Sequence, residues 1–151
     1  MAGPFYYSQM SEKPTIHVID DDDAVRDSLG LLLNVEGFNV LVYTSCAAFL
    51  HKAVLDGNCC LLVDIHMPGV DGLALLDQLR RDGINPPTIL MTGRIDGRIR
   101  RAAEHAGAVL LEKPFRMGDV VASIEAAVGR NRMSGGEPSH SAASIGRASS
   151  L

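Results

Sequence analysis

The sequence has few cysteines and no apolar run long enough to cross a membrane, and each shortage excludes a class of protein. No stretch approaches the ~20 apolar residues of a membrane-spanning helix, and residues 1–14 lack the basic and apolar segments of a secretory signal. The three cysteines, Cys46, Cys59 and Cys60, lack the spacing of a metal site and are expected to be buried side chains in a reducing compartment. We therefore expect a cytoplasmic protein with no membrane partner.

The chain also lacks an excess of basic residues, since its net charge is −4 and its pI is about 5.7. Domains that bind nucleic acid are usually basic and gather Lys and Arg on one face, so no direct DNA binding is expected. The 151 residues are enough for one domain with a substantial core and too few for two domains of ordinary size.

The sequence does have a regular alternation of short apolar runs and helical patterns. The predicted strands are 15–20, 39–43, 59–64, 88–91 and 109–111. The predicted helices are 23–36, 45–55, 72–81, 97–105 and 118–130. Gly37 is expected to end the first helix, and Ser45 and Asp71 are expected to cap the second and third. This alternation favours an α/β fold in which helices cover both faces of a parallel sheet.

Composition divides the chain into three parts. Residues 1–14 have no period and are expected to be a flexible N-terminal lead, whereas 15–130 carry the alternating pattern of a folded domain. Residues 131–151 are rich in Ser, Gly and Ala with almost no large apolar side chains, which predicts a disordered tail.

Charged side chains follow three of the predicted strands at the point where each apolar run ends. They are Asp20, Asp21, Asp64 and Lys113. Because the carboxyl ends of parallel strands share one edge of the sheet, these groups are expected to converge. Adjacent carboxylates raise each other's pKa unless a cation compensates, and Mg²⁺ binds one or two carboxylates together with water and phosphate oxygens. The pattern predicts a crevice that holds Mg²⁺ and a phosphoryl group.

The same edge offers the groups that phosphoryl transfer needs. Asp64 can act as the nucleophile, Thr92 at the end of the fourth strand adds a hydroxyl donor, and Lys113 supplies a fixed positive charge. Phosphoryl transfer depends mainly on positioning and on neutralising the charge of the phosphoryl oxygens. These residue types meet that requirement.

Five segments, in this order and spacing, resemble the receiver domain of two-component response regulators. They are 18–26 (VIDDDDAVR), 64–72 (DIHMPGVDG), 91–93 (MTG), 106–108 (AGA) and 112–115 (EKPF). The resemblance covers residues 15–130, and the segments 25–29 and 92–93 look most similar to FixJ-like regulators.

The resemblance implies a flavodoxin-like (βα)5 fold, a doubly wound parallel sheet of strand order 2-1-3-4-5. It implies that Asp64 is the phosphoacceptor and that a sensor histidine kinase or a phosphotransfer protein supplies the phosphoryl group. The Mg²⁺ ligands it implies are the carboxylates of Asp20, Asp21 and Asp64 and the backbone carbonyl of His66.

The resemblance also implies roles for Thr92 and Lys113. Thr92 would hydrogen-bond the phosphoryl group and move on activation, Lys113 would form an ion pair, and the Lys113–Pro114 peptide would be cis. The output surface, which contacts partner proteins, would be the face formed by helix 4, strand 5 and helix 5. A phosphorylation-dependent homodimer is one possible product of such contacts. Such a protein is a phosphoacceptor switch with at most slow self-dephosphorylation, and not an enzyme.

Two features of this face depart from the family pattern. Leu110 stands where the family usually has Tyr or Phe, and Arg94, Arg98, Arg100 and Arg101 form a basic cluster on an acidic chain. Either a solvated helix face or a docking surface for an acidic downstream protein explains the arginines, which repel one another mildly at these spacings. Arg94, Arg98, Arg101 and Leu110 are therefore the candidate output residues.

Two further expectations concern the lifetime of the phosphorylated state and the architecture of the chain. His66 and Arg94 lie two residues beyond Asp64 and Thr92, where the family tunes the lifetime of its acyl phosphate. The chain continues into its Ser-rich tail instead of a helix-turn-helix domain, so a stand-alone receiver with an unknown protein target is expected.

One alternative function is a degenerate, constitutive binding module, which would have lost an acid or the lysine. The other is a Mg²⁺-dependent phosphohydrolase, in which His66 would replace a second acid.

Overall fold

The computed structural model describes residues 13–133 and 143–144, and its main elements alternate between strand and helix. The strands of the central sheet, numbered in chain order, are β1 (Thr15–Ile19), β2 (Asn39–Tyr43), β3 (Cys59–Asp64), β4 (Thr88–Thr92) and β5 (Val109–Glu112). The helices are α1 (Asp23–Val35), α2 (Cys46–Lys52), α3 (Gly72–Arg81), α4 (Gly97–Ala106) and α5 (Met117–Met133). Two further strands of two residues each, Val54–Leu55 and Ala143–Ser144, pair with each other antiparallel.

The five strands of the central sheet are all parallel and lie in the order β2-β1-β3-β4-β5. This confirms the flavodoxin-like order 2-1-3-4-5. Ile19 at the end of β1 pairs with Val63 of β3, and Asp64 pairs with Met91 of β4. Because the strands run in the same direction and in this register, β1, β3, β4 and β5 all end at one edge of the sheet.

Helices cover both faces of the sheet, and β3 shows why its sequence is apolar throughout. Every residue of β3 is buried, and alternate side chains enter two separate apolar clusters. Cys59 and Leu61 pack in the cluster beneath α2, α3 and α4, whereas Cys60 and Leu62 pack beneath α1 and α5. A strand covered on both faces has no polar side to show in its sequence.

The expected helix-end signals are confirmed. Gly37 follows α1 with a φ of 96°, a backbone conformation that side chains other than glycine rarely adopt. The Ser45 hydroxyl accepts a hydrogen bond from the Ala48 N–H at 3.0 Å, and the Asp71 carboxylate accepts one from the Ala74 N–H at 2.8 Å. These contacts satisfy backbone donors in the first turns of α2 and α3.

Two predicted boundaries are wrong. The second helix ends at Lys52 and not at residue 55, because Ala53 is extended (φ −71°, ψ 139°) and Val54–Leu55 pairs as a strand. The last helix begins at Met117 and continues to Met133, three residues into the predicted disordered tail. The Ala143–Ser144 strand also lies within that tail, and the rest of the tail and residues 1–12 of the predicted lead lie outside the described residues.

Within residues 13–133 and 143–144, none of the helices is both long enough and apolar enough to span a membrane.

Candidate functional site

Three carboxylates meet at the edge where the strands end. Asp64 is the last residue of β3 and Asp20 is the first residue after β1, and the two are only 6% and 0% exposed. Asp21 follows at the exposed rim of the crevice. Ligand oxygens of these three residues all lie within 4.8 Å of one another. The structure therefore brings together the three acids that the sequence predicts.

Lys113 joins this group from the end of β5. Its ammonium Nζ lies 2.9 Å from Asp20 Oδ2 and 3.5 Å from Asp64 Oδ2. The Lys113 N–H donates to the carbonyl of Thr92 at 2.7 Å, which extends the β4–β5 ladder by one residue, and the Lys113–Pro114 peptide is cis, as expected. The backbone thus places the ammonium between the two buried acids.

The two buried carboxylates are held in the same way. Asp20 Oδ1 accepts the N–H of Asp22 at 2.9 Å, and Asp64 Oδ1 accepts the N–H of His66 at 3.1 Å. Lys113 contacts the other oxygen of each acid. Since a carboxylate has about four lone-pair positions, both side chains keep acceptor capacity for a further ligand.

One lysine does not neutralise this cluster. Burial, and then the charge of Asp20, raise the pKa of Asp64 above its usual value, although Lys113 and the His66 N–H act in the opposite direction. Burial alone would lower the pKa of Lys113, but its hydrogen bond to Asp20 and the charges of both acids raise it. A cluster in which an acid still has a raised pKa favours an additional cation. Carboxylate oxygens are the ligands that Mg²⁺ prefers, so these residues fit that ion.

Thr92 lies beside the acids at the end of β4, and its hydroxyl is already engaged. Thr92 is fully buried, and its Oγ1 donates to the carbonyl of Arg94 at 3.0 Å and accepts the Arg94 N–H at 3.2 Å. Oγ1 also lies 3.3 Å from Nε2 of the exposed His66 side chain. With the single hydroxyl hydrogen directed to Arg94, Nε2–H is the donor of the His66 contact.

The contact between His66 and Thr92 is a feature that sequence reasoning missed. Both residues follow or end adjacent strands, which is the one signal that could have suggested their proximity. The role of the His66 carbonyl as a metal ligand stays a prediction.

The candidate output residues lie on three segments: Arg94 in the loop between β4 and α4, Arg98 and Arg101 on α4, and Leu110 on β5. Arg94, Arg98, Arg100 and Arg101 are all exposed, as both a solvated face and a docking surface require. Leu110 is half-buried and packs against the apolar cluster beneath α4. The loop before α4 is attached to β5 through the Glu112 carboxylate, which accepts the Ile95 N–H at 3.0 Å.

An apolar groove of about 470 Å³ opens beside Lys113, between α1 and the chain that leads into α5. Val25, Leu29 and Leu32 line it on α1, and Phe115 lines the opposite wall. Leu32 is 44% exposed although it belongs to the apolar pattern of α1. The groove has no signal in the sequence, because it forms between segments that are far apart in the chain.

The profile of the response regulator receiver domain matches residues 16–125. The chain belongs to the response regulator receiver family. Receiver domains are the phosphoacceptor switches of two-component systems, and sensor histidine kinases or phosphotransfer proteins phosphorylate them. The family binds Mg²⁺ at an acidic pocket, and the cluster of Asp20, Asp21 and Asp64 in this receiver is compatible with that ion.

Individual relatives confirm the FixJ-like resemblance of this receiver. The chain is 42% identical over 127 residues to the transcriptional regulatory protein FixJ of Azorhizobium caulinodans, covering 83% of the chain and 60% of that relative. A crystal structure of FixJ-N superposes with a TM-score of 0.69 at 35% identity, covering 78% of this chain and 95% of that one.

More distant structures share the receiver fold. The chemotaxis protein CheY4 of Vibrio cholerae gives a TM-score of 0.68 at 19% identity, covering 77% of this chain and 99% of that one. The receiver described here spans about 60% of the length of the curated FixJ relative.

Proposed function

We propose that this receiver accepts a phosphoryl group on Asp64 from a phosphohistidine of a sensor kinase or a phosphotransfer protein, in a Mg²⁺-dependent reaction. The observation that supports this function best is the position of Asp64. It is a buried carboxylate at the end of a parallel strand, 3.5 Å from an ammonium group and clustered with two further acids.

The carboxylates of Asp20, Asp21 and Asp64 would hold the metal, together with the backbone carbonyl of His66. When bound, Mg²⁺ supplies positive charge that neutralises the phosphoryl oxygens. Lys113 supplies a second positive charge, held in place by its contact with Asp20.

In the transfer step, an oxygen of ionised Asp64 attacks phosphorus, and the phosphorus–nitrogen bond of the donor phosphohistidine breaks. The bonding electrons leave with the imidazole nitrogen, so an acyl phosphate and a free histidine are the products. Asp64 has to be ionised to attack, and Lys113 favours that form because its charge and hydrogen bond lower the pKa of Asp64. Because burial opposes ionisation of Asp64, the Lys113 charge helps to keep the carboxylate ionised before transfer. After transfer, the same charge would neutralise a phosphoryl oxygen.

Thr92 has to change partners in order to bind the new phosphoryl group. Its hydroxyl hydrogen is directed to the Arg94 carbonyl before transfer, and binding a phosphoryl oxygen requires that this bond be broken. Arg94 lies in the loop between β4 and α4, so the exchange changes how the loop is held. This exchange is our proposed route from Asp64 to the output residues Arg94, Arg98, Arg101 and Leu110.

The donor protein is proposed to cover the apolar groove. Lys113 lines both the groove and the acidic cluster, so a protein that brings phosphohistidine to Asp64 passes over Val25, Leu29 and Phe115. An unknown acidic protein at the basic cluster of α4, or a second phosphorylated copy, is the proposed downstream partner. We place the protein in the cytoplasm, in keeping with its three reduced, buried cysteines.

The structure offers less support for the two alternatives. A constitutive binding module has no need for a lysine 2.9 Å from one buried acid and 3.5 Å from another. A phosphohydrolase would need an acid to protonate the leaving group, and the His66 ring that would serve is instead hydrogen-bonded to Thr92.

Intact mass after incubation with acetyl phosphate separates the three functions. The wild-type protein is expected to gain one phosphoryl group only when Mg²⁺ is present, and Asp64→Asn is expected to gain none. Repeated phosphate release without a mass gain would indicate a phosphohydrolase. No gain and no release from the folded wild-type protein would favour the constitutive binding module.

A further inference from the structure

Arg26 of α1 holds the loop that carries two of the three acids, although it does not belong to the acidic cluster itself. Its side chain is only 11% exposed, and its Nη1 donates to the backbone carbonyl of Asp20 at 2.7 Å. Its Nη2 forms an ion pair with the exposed carboxylate of Asp23. One guanidinium group therefore joins the end of β1 to the first turn of α1.

The position of Arg26 in α1 indicates that these contacts offset an energetic cost. Arg26 is the fourth residue of α1, and a cation near a helix N-terminus is unfavourable because the helix dipole is positive at that end. A partly buried arginine there needs specific partners to offset this cost. The Asp20 carbonyl and the Asp23 carboxylate are those partners.

The contact with Arg26 completes the restraint of Asp20. The Asp22 N–H holds Asp20 Oδ1, Lys113 holds Oδ2, and Arg26 holds the carbonyl oxygen. This carbonyl belongs to the peptide that links Asp20 to Asp21. Arg26 therefore fixes the plane of that peptide, from which the exposed Asp21 carboxylate extends.

We propose that Arg26 is a positioning residue for Mg²⁺: it orders the peptide between Asp20 and Asp21 so that both carboxylates are preset for the ion. The inference rests on the proposed Mg²⁺-dependent function. The direction in which the Mg²⁺ affinity changes distinguishes this inference from a purely electrostatic effect. Removing a positive charge near a cation site would strengthen Mg²⁺ binding, whereas removing a restraint on its ligands weakens binding.

The test is isothermal titration of the full chain with Mg²⁺, comparing wild type, Arg26→Gln and Arg26→Lys. Arg26→Gln is expected to raise the Kd about 10-fold, a typical result of removing a group that orients metal ligands. Arg26→Lys, which keeps the charge and one donor, is expected to fall between the two. The matched control is Arg80→Gln, because Arg80 also donates to a backbone carbonyl, that of His105 at 3.2 Å, but on a surface remote from the acids. The Mg²⁺ Kd of Arg80→Gln should match that of wild type.

A second measurement separates positioning from a general structural role. At saturating Mg²⁺, phosphate uptake from acetyl phosphate by Arg26→Gln should return to within about twofold of wild type, because excess ion offsets the weaker binding. Uptake that stays low at saturating Mg²⁺ would overturn the inference. So would an Arg26→Gln Kd equal to or below that of wild type.

Folding is checked by thermal unfolding of each variant. If Arg26→Gln does not fold, Arg26→Lys decides: a Kd above that of wild type supports the inference, and an unchanged Kd overturns it. Wild-type protein that binds no Mg²⁺ would overturn the proposed Mg²⁺-dependent function and this inference with it. Wild type that binds Mg²⁺ while the Arg26 variants bind equally well would overturn the inference alone.

Discussion

The imidazole Nε2 of His66 lies 3.3 Å from the hydroxyl oxygen of Thr92 and connects the loop after β3 with the end of β4. In the proposed function, the Thr92 hydroxyl exchanges its hydrogen-bond partners in order to bind a phosphoryl group. If Thr92 moves towards the phosphoryl group, as the proposed function expects, its hydroxyl leaves the His66 ring, and the contact between the two then stabilises only the unphosphorylated arrangement.

His66→Ala is therefore expected to favour the phosphorylated arrangement. Loss of one hydrogen bond of about 1 kcal/mol corresponds to a roughly fivefold increase in apparent affinity for beryllium trifluoride, a phosphoryl mimic, measured by titration in the presence of Mg²⁺. His105→Ala removes an exposed histidine on α4 as the matched control. Weaker binding by His66→Ala would mean that the ring supports the phosphorylated arrangement instead.

Asp64→Asn is expected to stabilise the fold while abolishing phosphorylation. The pKa of Asp64 is raised in the folded protein, which means that the ionised carboxylate destabilises the folded state at neutral pH. Removing that charge should raise the free energy of unfolding, measured by urea denaturation at pH 7.

The control for this change is Asp77→Asn, an exposed acid on α3, which should leave the free energy of unfolding within about 0.5 kcal/mol of wild type. A less stable Asp64→Asn protein would show that the contact with Lys113 outweighs burial and the charge of Asp20.

Gly72→Ala should disturb the strand that carries Asp64. A Cβ at Gly72 would lie 2.8 Å from the carbonyl oxygen of Asp64 and 3.0 Å from Cγ1 of Val63, and both residues are buried in β3. The expected cost is about 1–3 kcal/mol of unfolding free energy, with slower phosphate uptake because Asp64 is displaced. In Gly129→Ala, by contrast, a Cβ in α5 would meet no atom within 4 Å, so that control should be neutral or stabilising.

His17 predicts how the stability depends on pH. It is 1% exposed in β1, its Nδ1 lies 2.9 Å from the Tyr43 hydroxyl, and burial lowers its pKa to about 4 despite an opposing effect of the Asp56 charge. Below pH ~6.5 the unfolded chain binds a proton at His17 that the folded chain does not. Stability is therefore fully present above pH ~6.5 and is lost as the pH falls towards 4, by up to about 3 kcal/mol.

Urea denaturation at pH 7 and pH 5 measures this loss. His17→Gln, which has no charge to gain, should show a smaller difference between the two pH values than wild type. His51→Gln alters an exposed histidine on α2 and should keep the wild-type difference. Equal differences for wild type and His17→Gln would remove His17 from the pH dependence.

The parts of the site that sequence alone predicts are those fixed by regular structure. Asp20, Asp64 and Lys113 end or follow apolar runs, and a parallel sheet brings such ends together whatever the loops do. The contacts of His66 with Thr92 and of Arg26 with Asp20 were not predicted. They depend on the path of short loops and on side-chain rotamers, neither of which has a period in the sequence.

The boundary of α2 shows a second limit. Ala53, Val54 and Leu55 continue the apolar spacing of the helix, so the pattern alone favours a longer helix. Val54–Leu55 instead pairs with Ala143–Ser144, a partner almost 90 residues away in the chain. Local periodicity carries no information about such a distant pairing.

The burial of the native thiols has a practical consequence for following the switch in solution. Cys46, Cys59 and Cys60 are all buried, and burial raises the pKa of their thiols to about 11, 12 and 12, respectively. At neutral pH they are protonated and shielded from alkylating reagents. A single cysteine introduced on the exposed surface of α4 would therefore take up a fluorophore or spin label selectively, with every native cysteine left in place.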